Sequence, residues 1–382
     1  MKKFILKIAI FAIPIIAYYI FPVSVIFLSK EYYTAAQVVE TQNANKQNLY
    51  GNVYNTGSYI PYKEDLIQTN NPNIVAIGSS RAMEIRKEFF NASTTFINAG
   101  LAGRSLEAVE YFLNTMPNTL INGKNRILLF VVDREMFTRD PSAQDARTDD
   151  YASILGLHLY LPLNVARGMY LDYFARHKYN FTDLLHNIQN NNAIGINAIA
   201  FNEGFRSDGS FKYNRESKDP ALLANNTAAI HLVTQDLLDA NPSSLLVSDD
   251  QKIAINLKTL QQLLALARSR DITVIGFIPP YPTEINQATF NPISPYAKRE
   301  TNLTNKIIAE FEQASSSFYD LSDISKYGGT DSEFVDTVHG DDLMYAKVSL
   351  YLAEHNQLLA NYFDKKALQK MIASTTGNFL PF

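Results

Sequence analysis

The sequence predicts an α/β protein with a central, mostly parallel sheet covered by helices on both faces, one helical insertion and a membrane-spanning helix at the amino terminus. Three observations carry this. Short apolar, β-branched runs alternate with segments of helical spacing, no comparable run occurs between residues 134 and 250, and no charge stands between Lys7 and Lys30.

The uncharged run comes first. Residues 8–28, as a helix rising about 1.5 Å per residue, match a hydrocarbon core of about 30 Å. A cleaved signal peptide has an apolar part of only about 7–15 residues and ends at a small-residue site. Phe27-Leu28-Ser29-Lys30-Glu31 offers no such site, so an uncleaved anchor over residues 1–30 is expected. Pro14 and Pro22 are tolerated in a membrane helix. Lys2, Lys3 and Lys7 precede the span, which by the positive-inside tendency keeps the amino terminus in the cytoplasm and sends the rest of the chain to the cell surface or periplasm. Residues 31–71 are rich in Tyr, Asn, Gln and Thr without firm periodicity and read as a stalk.

From residue 72 to 382 one domain is expected. Runs at 74–77, 95–97, 127–132, 272–278 and 317–321 read as strands bounded by Gly, Pro, Asn or Asp. Helical spacing appears at 82–90, 106–115, 251–269, 297–314 and 342–359. Such alternation implies parallel strands buried on both faces. The insertion, about 134–250, has helical patterns around 170–190 and 221–238 and a turn-rich stretch, F-N-E-G-F-R-S-D-G-S-F-K-Y, between them. Its aromatics, Tyr160, Tyr170, Tyr173, Phe174, Tyr179 and Phe181, either fill a small core of their own or form a lid or partner-docking surface.

Composition removes several function classes. A net charge of −4 and the absence of a Lys/Arg-dense run leave no electrostatic footprint for nucleic acid. With no cysteine, disulfides and thiol catalysis are excluded. The six histidines, at 158, 177, 186, 231, 339 and 355, form no close pair with zinc-ligand spacing, so neither metal nor cofactor is expected.

The chemistry concentrates in three stretches. N-I-V-A-I-G-S-S-R-A-M-E-I-R, residues 73–86, runs a buried-strand pattern into Gly78, two serines and Arg81. A serine there either caps a following helix, contributing about 1 kcal/mol, or acts as a nucleophile at the carboxyl end of a strand, where open α/β sheets bind ligands. The other two stretches are F-I-N-A-G-L-A-G-R-S-L-E, residues 96–107, and E-F-V-D-T-V-H-G-D-D-L-M-Y, residues 333–345. A nucleophilic serine needs a base in reach, the base needs a group that holds its tautomer, and the oxyanion needs preorganised amides. Ser80, His339, Asp336 and the amides of Ser80 and Gly103 can fill these roles.

In this order the three stretches resemble the SGNH/GDSL hydrolase superfamily over residues 71–359, which implies a flavodoxin-like three-layer sandwich. Gly78-Ser79-Ser80 matches the family's G-D-S with Ser79 in place of the aspartate, so the nucleophile is expected at Ser80. Asn98-Ala99-Gly100-Leu101-Ala102-Gly103-Arg104-Ser105 matches the segment that lends an oxyanion-hole amide, from Gly103 or, as runner-up, Gly100. Asp336-Thr337-Val338-His339 matches the terminal D-x-x-H. The family's third motif, G-x-N-D, supplies an asparagine to the hole; here that place reads Phe130-Val131-Val132-Asp133-Arg134. Losing one such donor lowers turnover on the order of a hundredfold or more, which argues against efficient general hydrolysis. An ionised Asp133 would repel the oxyanion, so it is expected to turn to Arg81, Arg134 or a substrate hydroxyl. Arg81, Asp133 and Arg104 are the expected substrate contacts.

The anchor, the G-S-S-R motif and the absent asparagine are together similar to membrane-anchored SGNH-like proteins that work beside polytopic membrane-bound O-acyltransferases, such as D-alanine-transfer proteins of teichoic-acid modification and alginate O-acetyltransferases. That resemblance implies O-acyl transfer to an envelope polysaccharide or teichoic-acid-like acceptor. A carbohydrate or lipid esterase of the envelope and a non-catalytic scaffold are the alternatives.

Overall fold

A computed structural model of the chain describes residues 2–54, 59–115, 126–138, 161–190, 193–213, 220–238, 250–292 and 297–374. The chain divides into two compact units: Met1–Asp65, Arg147–Ser207 and Phe211–Asn214 form the first, and Leu66–Ala146, Asp208–Ser210 and Arg215–Phe382 the second.

The second unit holds the parallel sheet. Its strands are β1 (Ile74–Gly78), β2 (Phe96–Gly100), β3 (Arg126–Val131), β4 (Ile272–Ile278) and β5 (Ser317–Asp320), in the order β2-β1-β3-β4-β5 with every pairing parallel. β1 and β2 are buried along their whole length, as the near-continuous apolar runs demand of strands covered on both faces. Ile74, Ala76, Leu129 and Phe277 share a core with Val348 and Leu352 of helix Asp342–His355. Turned the other way, Ile77 and Val109 both lie against Gly103, and Gly276 meets Phe311 of helix Ala297–Gln313. Helix Asp250–Ser269 packs on β4 and between Leu106–Thr115 and Ala297–Gln313. The strand order reverses between β1 and β3, the kind of switch point at whose carboxyl ends open sheets bind ligands.

Two expected helices differ. In place of one helix over 82–90 there are two 3-10 turns, Ser80–Ala82 and Lys87–Phe89. The cause is the buried Asn98 side chain, whose Nδ2 donates to the carbonyls of Ala82 and Ile85 at 2.7 Å each, the acceptors a continuing helix would use. The pattern around 170–190 splits into Leu163–Tyr170, a π-turn at Leu171–Ala175, and Phe181–Asn190. His177, at φ +50°, lies in the gap.

The first unit corrects the stalk. Residues 31–71 carry helices Ala35–Ala44, started by a capping box of Thr34 and Gln37, and Tyr59–Asn70. Leu49–Tyr50 pairs with Ala193–Ile194 and with Gly204–Phe205, which continues to Phe211–Lys212. Buried Glu31 ties the lead-in to the insertion by accepting the amides of Val53 (2.7 Å), Tyr54 (2.9 Å) and Ile196 (3.2 Å). Two-residue strands paired across long sequence gaps leave no periodicity to read.

The amino-terminal helix, Lys2–Ser29, is long and apolar enough to cross a membrane. Its last three turns join a core with the insertion: Val25 is fully buried, and the Phe21 ring lies 4.9–5.8 Å from those of Tyr170, Tyr173, Phe174 and Phe181. Tyr160 falls outside the described residues. Pro22 has no amide hydrogen, so the Tyr18 carbonyl lacks its partner one turn on. The Tyr170 hydroxyl donates to that carbonyl at 2.8 Å. Tyr170→Phe should therefore destabilise the first unit by about 1 kcal/mol, and in a Pro22→Ala background, where the new amide serves Tyr18, the same change should have little effect. Thermal unfolding of the four proteins measures the coupling; equal losses in both backgrounds would contradict it.

Candidate active site

Gly78 ends β1 where only glycine fits: a Cβ there would lie 2.8 Å from both the Cβ and the carbonyl oxygen of Val131, so the carboxyl ends of β1 and β3 converge. Ser79 then caps the 3-10 turn, its hydroxyl accepting the Arg81 amide at 3.2 Å. Asn98 holds the turn from beneath. Leu101, at φ +75°, donates its amide to the Ser79 carbonyl at 3.1 Å and so ties the loop after β2 to the same turn.

The other half of the site is a tight loop before helix Asp342–His355. Phe334 bridges to Gly340, and the Val335 amide donates to the His339 carbonyl at 2.8 Å. Asp336 fixes the loop from inside, as aspartate does in turns: its Oδ1 accepts the amides of Val338 (2.9 Å) and His339 (2.8 Å). Its Oδ2 stands 2.7 Å from His339 Nδ1, and His339 Nε2 stands 2.7 Å from Ser80 Oγ. Burial pushes the Asp336 carboxyl up, but the hydrogen bond and charge of His339 and the two amides outweigh it and bring the group down to about 2. An ionised Asp336 keeps the proton on Nδ1 and leaves Nε2 to accept the proton of Ser80. Ser80, His339 and Asp336 are thus brought together from positions more than 250 residues apart.

The oxyanion donors are arranged otherwise than expected. The Gly103 amide donates to the Gly78 carbonyl at 3.1 Å, and that of Gly100 to Asn98 Oδ1 at 2.7 Å. Gly103 is glycine for packing, since a Cβ would stand 2.8 Å from Val109 Cγ2 and 3.0 Å from the Gly78 amide nitrogen. The Ser80 amide, first in its turn, has no acceptor among the described residues.

Asp133 turns to Arg81, not to Arg134. Its Oδ1 accepts Arg81 Nη1 at 2.8 Å and its Oδ2 accepts the Ser79 hydroxyl. The Arg81 guanidinium also donates to the Pro280 carbonyl and lies 3.9 Å from the Tyr281 ring centre, while its own carbonyl accepts the Tyr345 hydroxyl. With 6% and 5% of their surface exposed, Arg81 and Asp133 form the buried floor of the turn at residues 79–82 and offer little surface to a substrate. Arg134 is buried against Phe290 and Tyr281, 3.8 Å from Asp320. Arg104 is exposed on the loop after β2. Asn98, Tyr281 and Tyr345 escaped the sequence reading, though an asparagine inside the apolar run F-I-N-A-G was a visible signal. Among the described residues, no group of three or more metal-ligating side chains is placed to hold an ion.

Comparison with known proteins found no match. No family model, no curated protein and no solved structure matches the chain.

Removing one partner of a buried ion pair leaves an uncompensated charge and costs about 3–5 kcal/mol. Asp133→Asn should lose about 3 kcal/mol of stability in urea unfolding; a loss within experimental error would mean that Arg81 is held by Pro280 and Tyr281 alone.

Proposed function

We propose that the second unit is an SGNH-type, flavodoxin-like domain that transfers acyl groups through Ser80 outside the cytoplasm, with the amino-terminal helix as an uncleaved anchor. The observation that carries the reading is the unbroken chain from Asp336 through His339 to Ser80, each contact 2.7 Å. In the first step Ser80 Oγ attacks the donor's acyl carbonyl as its proton passes to His339 Nε2. The tetrahedral oxyanion meets the Ser80 amide, the donor's leaving group takes the proton from His339, and an ester forms on Ser80. In the second step His339 takes the proton of an acceptor hydroxyl, that oxygen attacks the ester, and the departing Ser80 oxygen recovers the proton. Ionised Asp336 stabilises the imidazolium in both steps.

Two features favour transfer over hydrolysis. The place where the family has a third oxyanion donor is occupied by Asp133, with both oxygens engaged, which weakens a general hydrolase. The anchor fits a protein working beside a polytopic membrane-bound O-acyltransferase that supplies the acyl group, and cleavage after it would remove Val25 and Ile26 from the core of the first unit. The acceptor would be an envelope polysaccharide or teichoic-acid-like polymer. The engaged amides of Gly100 and Gly103 favour one second reading, a non-catalytic scaffold of such a complex.

Incubating the full-length protein in detergent with nitrophenyl acetate and a sugar acceptor separates these readings. Acyl-sugar should form, and Ser80→Ala and His339→Ala should each lower its rate on the order of a thousandfold or more. Free acetate without acyl-sugar would point to an esterase, and a rate unaffected by Ser80→Ala would leave the scaffold.

A further inference from the structure

The insertion helices sit on the amino-terminal helix at a depth that a membrane anchor cannot leave in water. Phe21 precedes Ser29 by eight residues, about 12 Å along the axis at ~1.5 Å per residue, and it is the centre of the aromatic cluster formed with Tyr170, Tyr173, Phe174 and Phe181. If the hydrocarbon stopped short of this cluster, only residues 2–17 would remain to span it, about 24 Å including three lysines, against a core of about 30 Å. The outer turns of the helix and the insertion residues beside them therefore share the hydrocarbon.

Side chains at that level fit lipid. Phe174 packs at 4.9 Å on Phe21 and is still 60% exposed. The anchor itself presents Ile13, Ile16, Ile20 and Phe27, all at least half exposed, so apolar side chains are exposed both on the span and on the insertion beside it. The orphaned Tyr18 carbonyl beside Pro22 is met by the Tyr170 hydroxyl, which is what backbone needs where no water can reach it. Basic groups follow directly: Arg176 is exposed and Lys178 stands over the Tyr179 ring, as at a headgroup boundary.

We infer that Phe174 and the helix end around Tyr170 dip into the leaflet crossed by the carboxyl-terminal half of the anchor, so that the first unit is held in the bilayer by the span and by an embedded edge of the insertion. The occupant of the exposed face is lipid acyl chain. This rests on the anchor reading above and adds to it a second membrane contact.

The chain has no tryptophan and no cysteine, so single probes report cleanly. The full-length protein carrying Ile20→Trp, Phe174→Trp or Ile255→Trp is reconstituted alone in phosphatidylcholine vesicles with plain or mid-chain brominated acyl chains. Tryptophan at 20 and at 174 should both emit in the blue and lose most of their emission to bromine, while tryptophan at 255, on an exposed helix position of the second unit, should lose almost none. Should the 174 indole perturb the cluster, Phe174→Cys bearing a nitroxide should be reached by oxygen in preference to a water-soluble nickel complex. Quenching at 20 without quenching at 174 would overturn the embedded edge and leave the face to water or a protein partner. No quenching at 20 would overturn the anchor itself.

Discussion

The Asp133 carboxylate, buried at the carboxyl end of β3, sets the geometry on which the candidate site depends. It binds Arg81 and Ser79, the residues on either side of Ser80, so Ser80 is held at a point fixed from both flanks. The convergence that allows this comes from Gly78, where any side chain would strike Val131. A buried ion pair contributes little net stability compared with an apolar replacement, but it specifies one arrangement over others. In the proposed SGNH reading the family's aspartate before the serine and asparagine after the third strand become Ser79 and Asp133 here.

The strands of the second unit were legible because burial on both faces writes continuous apolar runs, and β1 through β5 lie within a few residues of their expected limits. The triad was legible as residue types in an order, since the loop that brings His339 to Ser80 is built by local interactions of Asp336 with its own neighbours. What sequence could not carry was competition. Residues 82–90 have helical spacing, yet Asn98, a dozen residues on, removes their carbonyls from helix use. Gly103 looked like an amide donor and is a packing glycine whose amide is spent on Gly78. Arg81 and Asp133 read as substrate contacts because charge near a serine at a strand end reads as recognition, while Arg81 is held against Pro280 and Tyr281, two hundred residues later in the chain.

The first unit was the least legible part. Its small sheet joins residues 49–50 to residues 193–212 through two-residue strands, too short to impose a period. Its core borrows the last turns of an amino-terminal helix whose composition alone reads as anchor. The described aromatics of the insertion form a local core that includes the last turns of the amino-terminal helix. One residue shows how the roles combine, since Pro22, harmless in a membrane helix, creates the open carbonyl that Tyr170 fills.

In the proposed reading Ser80 is a nucleophile activated by His339. Reaction of the full-length protein with a fluorophosphonate, followed by intact-mass and peptide analysis, tests it without an assumed donor or acceptor. A single adduct on Ser80, lost in His339→Ala and unaffected by Arg104→Ala, is the predicted result. An adduct on Ser79, or labelling of Ser80 that persists undiminished without His339, would contradict it.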